Sequence, residues 1–193
     1  MQSILEIMKM HGMDVPSDKV QIKIDDAENI FNNAMTYFLS LKGEKYVKLP
    51  EYKDIIEWLT NNDGKGLFLY GDVGLGKPFI ARFVIPAILL KYENKIVSFF
   101  SVQEMNNNLD YVLTKKLICI DDAGIEELAV NYGNKRLAFL DVLDSAEKHG
   151  KLLIVTSNLT SQEAILAKYG ERGLDRIIST MKRVMFDGKS LRK

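Results

Sequence analysis

The eight residues from Gly71 to Pro78 constrain this chain more than any other stretch of its sequence. They read GDVGLGKP, which matches a phosphate-binding loop at every defined position but the last. An apolar run at 66–70 precedes them and an apolar-periodic segment follows, which is the strand, loop and helix context that this motif requires. Glycines allow backbone N–H groups to turn toward a triphosphate, and the lysine supplies a mobile cation. The predicted phosphate-binding residues are Gly71, Asp72, Val73, Gly74, Leu75, Gly76, Lys77 and Pro78.

Pro78 occupies the position at which this motif normally has Ser or Thr, whose hydroxyl helps to hold Mg²⁺. Proline has neither that hydroxyl nor a backbone N–H, and it disfavours helical dihedral angles at Lys77 just before it. We therefore expect this substitution to weaken nucleotide hydrolysis more than nucleotide binding.

Composition narrows the class of protein. The 193 residues are 47% apolar, enough for one sizeable core, and 26 basic side chains balance 26 acidic ones, so any nucleic-acid-binding surface must be local. The single Cys119 and the distant His11 and His149 exclude an internal disulfide framework and a multi-cysteine zinc site. With no secretory signal and no apolar run long enough to span a bilayer, the sequence predicts a soluble, cytoplasmic protein without a membrane partner.

The chain divides into two regions by its hydrophobic pattern. Residues 1–62 are predicted to form short helices and a linker that dock a partner, with turn signals at Asp14, Pro16 and Ser17. Residues 63–193 are predicted to form the nucleotide-binding domain. Short, mostly continuous apolar runs there alternate with helix-length segments, which predicts a three-layer αβα sandwich around a five-stranded, mainly parallel sheet.

The helix-length segments of this second region are expected at 77–92, 102–113, 134–149 and 161–180. Gly170 is expected to break the last of them. Pro86 removes a backbone donor from the first, so a kink is predicted near Arg82.

Two adjacent carboxylates, Asp121 and Asp122, follow an apolar strand. Ligands of an open parallel sheet sit outside the carboxyl ends of its strands, so these acids are predicted to share a crevice with the phosphate loop. Asp121 is the candidate Mg²⁺ residue, directly or through water, and Asp122 the candidate to polarise an attacking water. The alternative is a strand that simply stops at polar residues.

Two further polar groups have a structural and a functional interpretation. Asn158 ends another apolar strand, where it either orients the attacking water or serves as a turn or helix cap. Arg172 and Arg176 lie four residues apart on one helical face, where they either form surface ion pairs or reach the nucleotide of a neighbouring subunit.

The order of these motifs resembles that of the DnaC/DnaI-type helicase loaders, AAA+ ATPases related to the initiator DnaA and to IstB-type transposition ATPases. The resemblance covers about Asp63 to the end of the sequence and rests on five segments: the phosphate loop, ICIDDAG, VTSNL, YGERGLDR and the closing FDGKSLR. By motif position it implies Asp121 and Asp122 as Walker B acids, Asn158 as sensor I and Arg176 as the arginine finger, with Arg172 the second choice.

The resemblance implies an ATP- and Mg²⁺-dependent P-loop ATPase that assembles with copies of itself and helps to place a replicative DNA helicase on single-stranded DNA. The alternatives are an IstB-like transposition accessory ATPase and a nucleotide-binding adaptor with little hydrolysis. DNA contact has the least support. The basic residues of 181–193, including Arg192 and Lys193, and the pair Lys115–Lys116 lack interleaved aromatic side chains.

Overall fold

In the computed structural model of the chain, the structure describes residues 4–13, 15, 18–126, 129–131 and 134–191. The predicted turn at Asp14, Pro16 and Ser17 lies outside the described residues. So do the first three residues of the predicted N-terminal helix, and Arg192 and Lys193 of the basic segment.

A five-stranded parallel sheet forms the middle layer, in the order β2-β3-β6-β1-β7. Its strands are β1 (Gly66–Gly71), β2 (Ser98–Ser101), β3 (Leu117–Ala123), β6 (Leu152–Ser157) and β7 (Met181–Phe186). Both neighbours of β1 come from much later in the chain. The strand that leads into the phosphate loop therefore lies inside the sheet, between β6 and β7.

Helices cover both faces of this sheet. One face carries α2 (Ala27–Ser40), α3 (Tyr52–Thr60), α4 (Lys77–Phe79), a π-helical turn (Ile80–Val84) and α5 (Ile85–Glu93). The other carries α6 (Val102–Asn107), α7 (Leu109–Leu113), α8 (Ala138–His149) and α9 (Gln162–Thr180). The predicted three-layer αβα sandwich is confirmed.

Alternation along the strands divides the core between these two layers. In β1, Leu67 and Leu69 pack with α2 and α3, whereas Phe68 packs with the opposite helices. In β6, Ile154 packs in the core on the α2 and α3 side, and Val155 packs in the core on the opposite side. Successive side chains of a strand point to opposite faces, so an apolar run with no polar interruption is what a sheet covered on both sides requires.

Most predicted helix boundaries agree with the structure to within a few residues, with one clear exception. A helix was expected from Asn134, but two short antiparallel strands, β4 (Ala129–Asn131) and β5 (Asn134–Arg136), precede α8, which begins at Ala138. The predicted interruption at Gly170 is present, with φ 70° and ψ 177°. The distortion expected upstream of Pro86 takes the form of the π-helical turn, in which one residue is inserted into the helical ladder.

The N-terminal helices differ in how they are packed. Phe31 and Trp58, from α2 and α3, are fully buried in the same core as β1 and β7. By contrast, α1 (Ile4–Met10) leaves Ile4 and Met10 largely exposed. The boundary proposed at residue 63 and the docking role of the first region stay predictions.

Replacing Phe31 with Ala should cost about 3–5 kcal/mol of unfolding free energy, because a large buried ring is removed from this core. Tyr37→Ala on the same helix is the matched control, since Tyr37 is exposed, and should cost less than about 0.5 kcal/mol. Urea denaturation measures both. A separate early transition confined to Phe31→Ala would show that α2 unfolds independently of the sheet.

Candidate functional site

Three polar segments meet at the carboxyl edge of the sheet. The phosphate loop follows β1, the acidic pair ends β3, and Asn158 follows β6. Because β3, β6 and β1 are adjacent and parallel, their carboxyl ends lie side by side. This edge is the candidate nucleotide site.

The phosphate loop depends on glycine at three positions. Gly71, Gly74 and Gly76 have φ of 112°, 83° and 84°, in the region that side-chain-bearing residues rarely adopt. A Cβ on Gly71 would lie 2.2 Å from the carbonyl oxygen of Phe186, so a side chain there is sterically excluded. A Cβ on Gly76 would meet no atom within 4 Å. The loop is therefore packed tightly at its start and open at its end, where the helix begins.

Lys77 is 2% exposed, and its Nζ donates to the carbonyl oxygens of Gly71 and Asp72 at 2.8 and 2.6 Å. A buried ammonium must be hydrogen-bonded, and here the loop itself supplies acceptors. The predicted phosphate lysine thus lies folded over its own loop. Phosphate oxygens compete with those two carbonyls for the same three N–H groups.

Pro78 does not prevent the helix from starting. It was expected to disfavour helical dihedrals at Lys77, yet α4 begins at Lys77 with Gly76 as its N-cap. A proline in the first helical turn replaces an N–H that has no partner within the helix. The substitution therefore leaves the backbone path intact and removes only the N–H and the hydroxyl.

The two acids lie at an irregularity of β3, where the pairing with β6 shifts between Ile120 and Ala123. Asp122 has φ 60°, a left-handed conformation that costs energy for a non-glycine residue. A bulge of this kind redirects neighbouring side chains. Through it, two consecutive carboxylates both become available at the edge of the sheet.

Thr156, a fully buried residue of β6, organises this acidic pair. Its Oγ1 donates to Asp121 Oδ1 at 2.5 Å and accepts from the backbone N–H of Asp122 at 2.9 Å. Sequence reasoning missed this residue. Its only signal was a polar side chain at the penultimate position of an otherwise apolar strand.

Asn158 is directed toward the acids. Its Nδ2 donates to Asp122 Oδ1 at 2.9 Å. The cap of α9 is instead Ser161, whose hydroxyl accepts from the N–H of Ala164. Asn158 is thus not the cap of α9, and its role in orienting an attacking water stays a prediction.

The two arginines form ion pairs within the chain. Arg176 Nε lies 3.1 Å from Asp144 Oδ1, Arg176 also pairs with Glu147, and Arg172 pairs with the other oxygen of Asp144. Asp144 and Glu147 belong to α8, which packs against α9. The Arg172 side chain is 71% exposed and that of Arg176 27%. The finger role of either arginine stays a prediction.

The residues predicted to contact DNA are mostly engaged with the protein. Lys182 donates to Glu57 at 2.7 Å, and Lys116 donates to the carbonyl oxygen of His149 at 2.7 Å. Tyr111 is exposed beside Lys115, whose Nζ is 3.9 Å from the ring centre. Contact of these residues with DNA stays a prediction.

The residues at the edge of the sheet fit a nucleotide and its metal ion in part. The open side of Gly76 and the Lys77 ammonium suit a phosphate chain. Within the described ranges, no three Asp, Glu, His or Cys side chains converge on a metal site. Mg²⁺ takes few protein ligands and completes its shell with phosphate oxygens and water, so a single carboxylate, predicted to be Asp121, is enough on the protein's side.

Comparison with known proteins identifies the fold. No family model and no curated protein sequence matches the chain. Among solved structures, the DnaC helicase loader superimposes with a TM-score of 0.63 at 17% identity, covering 81% of this chain and 98% of that one. DnaI gives 0.52 at 23% identity, covering 66% and 73%. AMPPCP-bound DnaA from Aquifex aeolicus gives 0.53 at 14% identity, covering 75% of this chain.

The chain therefore has the fold of the DnaC helicase loader, an αβα sandwich around a five-stranded parallel sheet. It spans about half the length of the DnaA chain that it matches. Among the helices that the structure describes, none combines the length and the apolar character needed to cross a bilayer.

The Thr156 hydroxyl should couple energetically to Asp121. In a double-mutant cycle of Thr156→Val and Asp121→Ala, the interaction energy should be about 1 kcal/mol or more, because a buried hydroxyl bonds to a partly buried carboxylate. Thr156→Ser retains the hydroxyl and should retain the coupling. Urea denaturation of the singles and doubles measures it, and a coupling near zero with Val would contradict this arrangement.

Proposed function

We propose that this protein is an ATP-binding DNA replication factor that acts as a helicase loader. The observation that carries the proposal is the convergence of phosphate loop, paired acids and Asn158 at one edge of a sheet. The fold shared with DnaC and DnaI supports the same conclusion. In this proposal ATP with Mg²⁺ binds at the carboxyl edge of the sheet, and the state of the bound nucleotide governs assembly with partners.

Each side chain has a distinct role in that chemistry. Lys77 and the N–H groups of the loop would neutralise phosphate charge, and Asp121, oriented by Thr156, would hold Mg²⁺. When bound, that ion polarises the phosphate oxygens. In hydrolysis the water oxygen would bond to the γ-phosphorus as its bond to the ADP oxygen breaks, and Asp122 would accept the water's proton. Asn158, whose amide can donate and accept, would orient both Asp122 and the water.

The proposed partners are a replicative DNA helicase, single-stranded DNA and further copies of this chain. The exposed apolar side chains of α1 are the proposed place at which the helicase docks. Co-purification with the replicative helicase of the same genome, with and without ATP and single-stranded DNA, tests this. No association under any condition removes helicase loading and leaves the IstB-like transposition ATPase as the alternative.

A nucleotide-binding adaptor with little hydrolysis is the second candidate. Pro78 favours it, because the group that normally helps to hold Mg²⁺ is missing while the lysine and the glycines remain. Nucleotide binding without turnover, together with a stable helicase complex, would support this version.

Replacing Pro78 with Thr or Ser should raise ATP turnover on the order of tenfold, because either residue restores a hydroxyl for Mg²⁺. Pro78→Ala is the matched control, since it restores the backbone N–H alone and should raise turnover less. Lys77→Ala should abolish binding of a fluorescent ATP analogue, so this variant gives the background rate of the turnover assay. Equal turnover in the parent and in both hydroxyl variants would contradict the proposed effect of Pro78.

If Arg176 reaches the nucleotide of a neighbouring subunit, Arg176→Ala should lower ATP turnover and ATP-dependent self-association by at least about tenfold. ATP binding should be kept. Analytical ultracentrifugation and a phosphate-release assay measure the two effects. Lys53→Ala removes one positive charge from an exposed site and serves as the control. A loss seen instead with Arg172→Ala alone would assign the finger to Arg172.

A further inference from the structure

The five residues that follow β7, Asp187 to Leu191, lie against the phosphate loop. We call them the post-β7 segment. Its Gly188 N–H donates to Asp72 Oδ2 at 3.1 Å, and its Leu191 N–H donates to the Gly74 carbonyl oxygen at 3.0 Å. Just before it, the carbonyl oxygen of Phe186 accepts from the Asp72 N–H at 2.8 Å. Three hydrogen bonds, one of them to the Asp72 side chain, thus join the end of β7 and the post-β7 segment to the first half of the loop.

Van der Waals contacts also join the post-β7 segment to the loop. A Cβ placed on Gly74 would lie 2.1 Å from Ser190 Oγ and 3.2 Å from its Cα. The segment therefore fills the space that a side chain would need at this loop position. Gly76, two residues later, has no such neighbour within 4 Å. We call the side of the loop that faces the post-β7 segment the closed side, and the opposite side the open side.

We propose that the post-β7 segment is a positioning element of the phosphate site, which fixes the direction of the loop's peptide groups. The inference rests on the nucleotide binding proposed above. The carbonyl of Gly74 and the N–H of Leu75 belong to one peptide unit, and no peptide bond in the described chain is cis. In a trans peptide these two groups point in opposite directions. Because Leu191 holds the carbonyl on the closed side, the Leu75 N–H is directed to the open side, where a phosphate oxygen accepts it.

Asp72 is positioned by the same segment. A carboxylate near a phosphate chain opposes its binding by charge repulsion. The bond from Gly188 holds this carboxylate on the closed side of the loop. Since Pro78 contributes neither N–H nor hydroxyl, the remaining loop donors carry more of the phosphate contact, and their orientation matters correspondingly more.

Leu191→Pro tests the proposal, because it removes the backbone N–H and leaves every other residue in place. Leu191→Ala is the matched variant that keeps the N–H and removes only an exposed side chain. Binding of a fluorescent ATP analogue to the full chain measures the effect. The Pro variant should bind at least about fivefold more weakly than the Ala variant, in line with the loss of one hydrogen bond that orients a donor. Equal affinity of the two variants would overturn the proposal.

Hydrogen–deuterium exchange without nucleotide separates this inference from the proposed function. Peptides that cover residues 71–79 should exchange faster in Leu191→Pro than in Leu191→Ala, because the loop loses its anchor. If exchange changes but the parent chain binds no ATP analogue, the nucleotide proposal is wrong and the contact is structural. If exchange is the same in both variants, the segment does not hold the loop.

Discussion

Gly71 is the point on which the geometry of the candidate site depends. Its N–H donates to the carbonyl oxygen of Leu159 at 3.0 Å, and the carbonyl oxygen of Phe186 occupies the place of its missing side chain. The ends of β1 and β7 and the segment after β6 thus meet at one residue. Any side chain there would separate the strands whose ends form the site, which is why glycine is required for packing as well as for dihedral freedom.

The convergence at Gly71 extends to the acidic pair through β6. Ser157 Oγ donates to the carbonyl oxygen of Ala123 at 2.5 Å, and the neighbouring Thr156 bonds to both acids. Consecutive residues of β6 therefore bind β3 on one side, while the residues just after β6 bind the phosphate loop on the other. The site is built across three adjacent strands by short polar contacts, and rigid strands hold such contacts more accurately than loops do.

Much of the fold followed from local sequence patterns. The five buried strands have apolar runs, the phosphate loop has glycines at fixed spacing, and Gly170 has the conformation of a helix breaker, so each could be predicted from nearby residues. Residues 134–136 could not, because pairing with a strand a few residues earlier overrides a helical pattern. The role of Thr156 and the contacts of Leu191 depend on residues far away in sequence, for which periodicity gives no signal.

Structural context also explains why only one of the two predicted effects of Pro78 remains a prediction. Its conformational effect was inferred from the usual preference of a residue before proline, but the N-cap at Gly76 places Pro78 in the first helical turn, where proline is tolerated. Its chemical effect depends on atoms that proline lacks in any conformation. Proline is therefore compatible with the shape of the loop, and the effect that stays a prediction is chemical: the missing hydroxyl should weaken hydrolysis more than binding.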